Sequence, residues 1–177
     1  MRGALSVVRS AVLGAEGAFE TFITVTAEGS VNAYNGHVDL GTGIRTALGQ
    51  IVAEELGANW KDMRVQLASN DPKFNDPVLG AQITGGSWST MMNFDAMSRA
   101  GAAGRIALTE AAAASMGVPA SELVVRASTI SHPKSKKSMS FADVVKSGKA
   151  TKTFTADDLK AIKLKTPDQY TMIGVSV

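Results

Sequence analysis

The chain has 177 residues and a mass of 18.4 kDa, a length that suits one domain rather than two. Its 45% hydrophobic and 19% charged residues exclude a disordered, collagen-like or fibrous protein and allow a sizeable buried core. The absence of cysteine excludes disulfide scaffolds, cysteine-ligated zinc or iron–sulfur sites and cysteine nucleophiles, and a net charge of +2 is too small to imply a nucleic-acid partner.

Residues 1–20 read as a leader or a disordered segment, although Arg9 interrupts their apolar stretch and no sharp small-residue cleavage site follows. Residues 21–26 alternate and are β-branched, Ala27 to Ser30 supply a turn, and residues 31–38 read as the second strand of a hairpin. After Asp39-Leu40-Gly41-Thr42-Gly43 comes a strong helix from Ile44 to Leu56. Its apolar stripe is Ile44, Leu48, Ile51, Val52 and Leu56, with Glu55 dissonant and Gly57 as the stop. Residues 63–68 make the next strand.

A long polar segment, 69–83, then leads to a second helix that runs to about Met116. Of residues 88–116 only four are charged and nine are alanine, so this helix is mostly buried and lets its neighbours approach closely. Residues 117–120 break it, 121–130 contain a strand, 131–139 read as a basic hairpin tip, and 141–145 as a short helix. The remainder reads as an extended tail ending in an apolar strand, 172–177, with no partner inside the chain. That orphan strand suggests that the chain continues, or pairs, in something larger. The order predicts an α/β (α+β) fold, a mixed β-sheet with two main helices packed on it. The charge-free run 77–94 carries Gln82, Thr84 and three glycines, so no membrane span is expected.

Catalytic equipment is sparse. His37 and Asp39 lie two apart at a strand end and could begin a metal site or form an ordinary polar pair, but two ligands are not a site. Gly85-Gly86-Ser87-Trp88-Ser89 lacks the second glycine of a nucleophile elbow. Gly41-Thr42-Gly43 is half of a dinucleotide fingerprint, with Thr46 at the third glycine position. Nine lysines and three aspartates between Lys134 and Lys165 make a basic tail. With two phenylalanines and no arginine there, a nucleic-acid role is poorly served. One pattern survives: glycine- and hydroxyl-rich turns at 40–43 and 84–89 each open a helix. Such starts offer unpaired N–H donors and about half a positive charge to an anion, or they are routine N-caps.

Residues 31–108 carry a glycine turn leading into a helix with Gln50 and Ala53-Glu54-Glu55-Leu56, a D-P…G…T-G-G-S-x-S-T segment ending at Thr90, and an alanine-rich helix. Together these resemble the molybdenum-binding subunit of the xanthine dehydrogenase/aldehyde oxidase family, in particular its isoquinoline 1-oxidoreductase and nicotinate dehydrogenase branch. Residues 116–177 match more loosely. The resemblance implies hydroxylation of an N-heteroaromatic ring or oxidation of an aldehyde at a molybdopterin dinucleotide, with the new oxygen drawn from water. By position it implies cofactor contacts from Leu40, Gly41, Thr42 and Gly43 and from Gly86, Ser87, Trp88 and Ser89. Thr42 stands where the family commonly has glutamine. The family's catalytic glutamate belongs to later parts of the subunit, so Glu54, Glu55 and Glu110 are not candidates for it and no catalytic residue is assigned.

The expected organisation is one domain over 1–177: a leading segment to residue 20, a cofactor-cradle core over 21–130, and a basic hairpin with its tail over 131–177. Expected partners are the remainder of the molybdenum subunit and an iron–sulfur or cytochrome electron-transfer subunit. A second copy of the chain is a further candidate, as cover for exposed apolar surface. Two other readings remain at this point: a non-catalytic assembly module derived from the family, and a stand-alone anion or nucleotide binder.

Overall fold

The computed structural model describes residues 5–9, 20–75, 79–150 and 152–174. Four strands form a mixed sheet in chain order: β1 (Leu5–Arg9), β2 (Glu20–Val25), β3 (Val31–Asn35) and β4 (Met63–Leu67). Strands β1 and β2 pair antiparallel, as do β2 and β3, whereas β3 and β4 run parallel. Strand β1 falls within the stretch that the sequence presents as a leader or disordered segment. Helix α1 (Ile44–Leu56) makes the crossover between the parallel pair, and the 29-residue α2 (Trp88–Met116) packs against α1. The apolar stripe expected of α1 is buried throughout.

Two glycines set the spacing of these layers. A Cβ on Gly49 would lie 2.4 Å from the Val65 side chain, so α1 rests almost directly on β4. A Cβ on Gly101 would lie 2.8 Å from the Val52 carbonyl oxygen and 2.9 Å from Glu55 Cβ, so α1 and α2 touch nearly backbone to backbone. The contacts advance together along both helices: Ile44 lines one groove with Ser87, Ser89 and Thr90, Val52 lies beside Gly101, and Glu55 beside Arg105. The helices are therefore parallel, with both N-termini at one edge.

A second, antiparallel sheet comprises β5 (Val124–Arg126), β6 (Thr129–His132) and β7 (Lys137–Ser140). The single strand expected in 121–130 is thus two strands, divided at Ala127 and Ser128. Both residues have positive φ, 48° and 60°, the geometry of a tight hairpin turn that usually advertises itself with Asn or Gly. Here tertiary bonds hold it instead: Ser128 N–H donates to Gly57 O, and Asn59 N–H donates to Ser128 Oγ.

The tail departs most from expectation. After α3 (Phe141–Lys146), a capping box at Thr155 and Asp158 starts α4 (Ala156–Ala161). Arg99 of α2 donates to the carbonyls of Leu159 and Lys160, both at 2.8 Å, and closes the end of α4. Residues 172–174 form a turn rather than the start of a strand, and 175–177 lie outside the described residues. The cause is Glu54. Its carboxylate is fully buried and accepts the backbone N–H groups of Thr171 (2.8 Å), Met172 (2.6 Å) and Ile173 (3.3 Å), with Lys165 Nζ at 2.9 Å. Lys165 Nζ also donates to the Glu54 carbonyl. Beside it, Glu55 accepts Lys165 N–H and pairs with Arg105.

Gly101→Val would force the helices apart. The expected cost is about 1–3 kcal/mol, read as a lower denaturation midpoint with an unchanged slope. Burial pushes the Glu54 carboxyl up, but Lys165 and the N–H groups of Thr171 and Met172 outweigh it and hold it below the usual range. A depressed folded value stabilises above the unfolded value and loses that stabilisation as pH falls through it. Glu54→Ala should therefore cost about 3–5 kcal/mol near neutral pH, and the gap from the parent chain should close on acidification in urea titrations.

Candidate functional site

Strand β3 ends in a turn that feeds α1, and the segment after β4 feeds α2, so both helix starts sit at the carboxyl edge of the parallel strands. Open α/β sheets place ligands at this edge. A groove of about 410 Å³ lies between the two starts, lined by Thr42 and Ile44 from one side and by Thr84, Gly85, Gly86, Ser87, Ser89 and Thr90 from the other. Of the residues expected from the sequence, Thr42, Gly86, Ser87 and Ser89 line it. Leu40, Gly41, Gly43 and Trp88 do not; Leu40 is 73% exposed and Trp88 48%, and the Trp88 ring lies over Gly86. Thr84, Thr90 and Ile44 join the lining without being expected as contact residues, because only the fold shows which face of each turn points inward.

The two starts differ electrostatically. At α1 the Asp39 carboxylate accepts N–H groups from Gly41 (3.0 Å), Gly43 (3.1 Å) and Arg45 (3.2 Å), with the Thr42 hydroxyl at 3.5 Å. Desolvation raises the Asp39 carboxyl, but the donated N–H groups prevail and hold it below the usual range. This helix therefore already carries its own anion, and what it offers the groove is the Thr42 edge and Ile44. At α2 the N-cap Ser87 makes no side-chain cap, and no acidic residue occupies the first turn. Gly86 and Ser87 are both left-handed, φ 59° and 58°. For serine that conformation is strained.

Among the described residues, the first-turn N–H groups of the long α2 thus meet no carboxylate or side-chain cap at the positive end of its dipole, and Trp88 N–H donates to Gly85 O. Thr84 Oγ1 is buried on the same wall and has no hydrogen-bond partner among the described residues. Leaving such a group unpaired costs about 1–3 kcal/mol, which a ligand oxygen would relieve. These donors fit a phosphate-bearing group.

His37 and Asp39 do not converge on a metal. Both His37 ring nitrogens bind protein groups, Ile83 O and the Asn93 amide, while Asp39 faces the start of α1. Among the described residues no cluster of three metal-ligating side chains exists. The other histidine, His132, locks the β6–β7 turn through Ser135 and Glu122. Glu110 pairs with Lys152 at 2.5 Å, and Glu54 and Glu55 hold the tail, so none of the three faces the groove. Among the described residues no helix is long and apolar enough to cross a membrane.

The sequence pattern of the molybdopterin cofactor-binding domain matches residues 4–177. The membrane-bound aldehyde dehydrogenase [pyrroloquinoline-quinone] of Gluconacetobacter polyoxogenes is 33% identical over 92% of this chain. The beta subunit of the isoquinoline 1-oxidoreductase of Brevundimonas diminuta is 36% identical over 75%, and a subunit of the nicotinate dehydrogenase of Pseudomonas putida 36% over 88%. The chain spans only 20%, 17% and 12% of those three relatives. In fold it is similar to quinoline 2-oxidoreductase of Pseudomonas putida 86, with a TM-score of 0.56, 20% identity, and 71% of this chain and 15% of that one covered. It is similar also to the Cu,Mo-CO dehydrogenase, with a TM-score of 0.56, 21% identity, and 82% of this chain and 18% of that one covered. The extent of the pattern and the identity to these relatives agree with the mixed α/β layers and the groove at the helix starts: the chain belongs to the molybdopterin cofactor-binding domain family.

Proposed function

We propose that this chain is the segment of a molybdenum-dependent oxidoreductase that seats the phosphates of a pterin dinucleotide, in an enzyme that hydroxylates an N-heteroaromatic ring or oxidises an aldehyde. The observation that carries this reading is the convergence of two helix starts on one groove, of which, among the described residues, only that of α1 is neutralised by a carboxylate. The Ser87–Thr90 turn takes the phosphate, Thr84 donates from the buried wall, and Thr42 and Ile44 close the opposite side. The bound group supplies the two-electron chemistry, and these residues supply position and electrostatics. No side chain here is assigned a catalytic role, so the isolated chain is not expected to turn over substrate.

Val38 and Leu40 before α1, Ile83 before α2, and Trp88, Met91 and Phe94 in the first two turns of α2 are exposed. Apolar groups clustered in this way mark an interaction surface. The remainder of the molybdenum subunit is the proposed cover, with an iron–sulfur or cytochrome subunit as the electron-transfer partner of the whole. The same rim favours a second reading, an assembly module whose groove is never filled. Pyrroloquinoline quinone, named in one relative, is also anionic and would suit the same donors; metal analysis separates it from a molybdenum pterin.

In the complete enzyme, Gly86→Val places a branched side chain on a left-handed residue under the Trp88 ring, and Ser87→Ala removes a hydroxyl from the turn. Both should lower molybdenum and pterin content per protein, Gly86→Val the more. Undiminished molybdenum occupancy in both would overturn the reading.

A further inference from the structure

The α2 start is held by one residue that neither the groove nor the family match accounts for. His37 lies just past the end of β3 and is only 8% exposed. Asn93 Nδ2 donates to Ser89 O at 2.9 Å and to His37 Nε2 at 2.7 Å. Rotating that amide would set its oxygen against the Ser89 carbonyl, so the NH2 faces both acceptors and Nε2 must carry a lone pair. The proton is then on Nδ1, which donates to Ile83 O at 2.8 Å. One neutral imidazole therefore joins the β3 end, the chain just before Thr84, and the first turn of α2.

We infer that His37 is a proton-sensitive positioning residue: its neutral ring holds the 83–90 turn in shape, and protonating it releases that turn. The inference rests on reading the turn as the phosphate seat only for its consequence; the strut itself is independent of any ligand. Among the described residues, the hydrogen-bonded neighbours of His37 are Asn93 of α2, which also holds the Ser89 carbonyl, the Ile83 carbonyl from the preceding turn, and Asn35 from β3. Asn35 exchanges two hydrogen bonds with the His37 backbone. All are neutral. The nearest carboxylate in sequence, Asp39, accepts from the start of α1. An imidazolium thus gains no counter-ion from these partners, and its new Nε2–H meets the N–H of Asn93, donor against donor. Either the ring withdraws, which breaks the tie to β3, or the Asn93 amide turns over so that its oxygen accepts from Nε2–H, which sets that oxygen against the Ser89 carbonyl and breaks the Asn93–Ser89 bond in the first turn of α2.

The test is amide hydrogen exchange on the intact chain, corrected for intrinsic pH dependence, alongside the ring titration of His37 followed by NMR. Exchange at residues 84–93 should rise about tenfold or more as the ring protonates, while α1 and β3 stay protected. His37→Gln, whose amide can accept from Asn93 and donate to Ile83, should keep the turn protected with a flat profile. His37→Phe should exchange fast at every pH. Identical profiles for the parent chain and His37→Gln would overturn the strut. Sulfate, whose charge is constant over this range, provides the separate arm. If it perturbs no amide in 86–90 at any pH, the phosphate-seat reading fails while the strut stands.

Discussion

The close contact at Gly101 is the constraint on which the rest of the molecule depends. With no side chain between them, α1 and α2 run side by side in the same direction, and the βαβ crossover of β3, α1 and β4 sets that direction. Two helices packed in parallel place like ends of their dipoles together, an arrangement that needs compensation at both edges. The fold supplies it unevenly. At the C-terminal edge Lys137 and Lys149 donate to Met116 O and Ala114 O at the end of α2, and Lys165 donates to the Glu54 carbonyl near the end of α1. At the N-terminal edge, among the described residues, Asp39 serves α1 and no carboxylate serves α2.

This asymmetry gives the basic tail a physical meaning. Its lysines are largely engaged: Lys134 with Glu122, Lys152 with Glu110, Lys165 with Glu54, and two more on the end of α2. The positive charge of the tail neutralises the negative end of the helix pair, which leaves the positive end open toward the groove. Glu54 ties the two regions together. A buried carboxylate gripped by three successive N–H groups and a lysine fixes the tail across α1; such an arrangement is stable only when every oxygen is satisfied.

Much of this is legible in the sequence where local chemistry and tertiary packing agree. The α1 stripe, the alanine-rich α2 and the mixed α/β layers follow from periodicity and small-residue content, and the spacing of 31–108 points to the family. The groove is legible only in part. Glycines and hydroxyls before two helices signal helix starts, but Asp39 looks like one of a polar pair with His37, and only the folded turn shows it capping α1. Leu40 and Trp88 follow from position along the chain, which does not tell which way a side chain turns. The tail's order escapes a local reading because it comes from Glu54, more than a hundred residues earlier in the chain. The Ala127-Ser128 turn escapes it because its geometry is imposed by Gly57 and Asn59 rather than by its own residues.

The central claim is that the start of α2, and not that of α1 or the lysine-rich tail, is the anion seat. Titrating the isolated chain with pyrophosphate while following assigned backbone amides tests it directly. The account predicts saturable shifts at Gly86, Ser87, Ser89 and Thr90, with Gly41 and Gly43 nearly unmoved because Asp39 holds their N–H groups. Shifts confined to the lysines of 134–165, or greatest at Gly41 and Gly43, would contradict it.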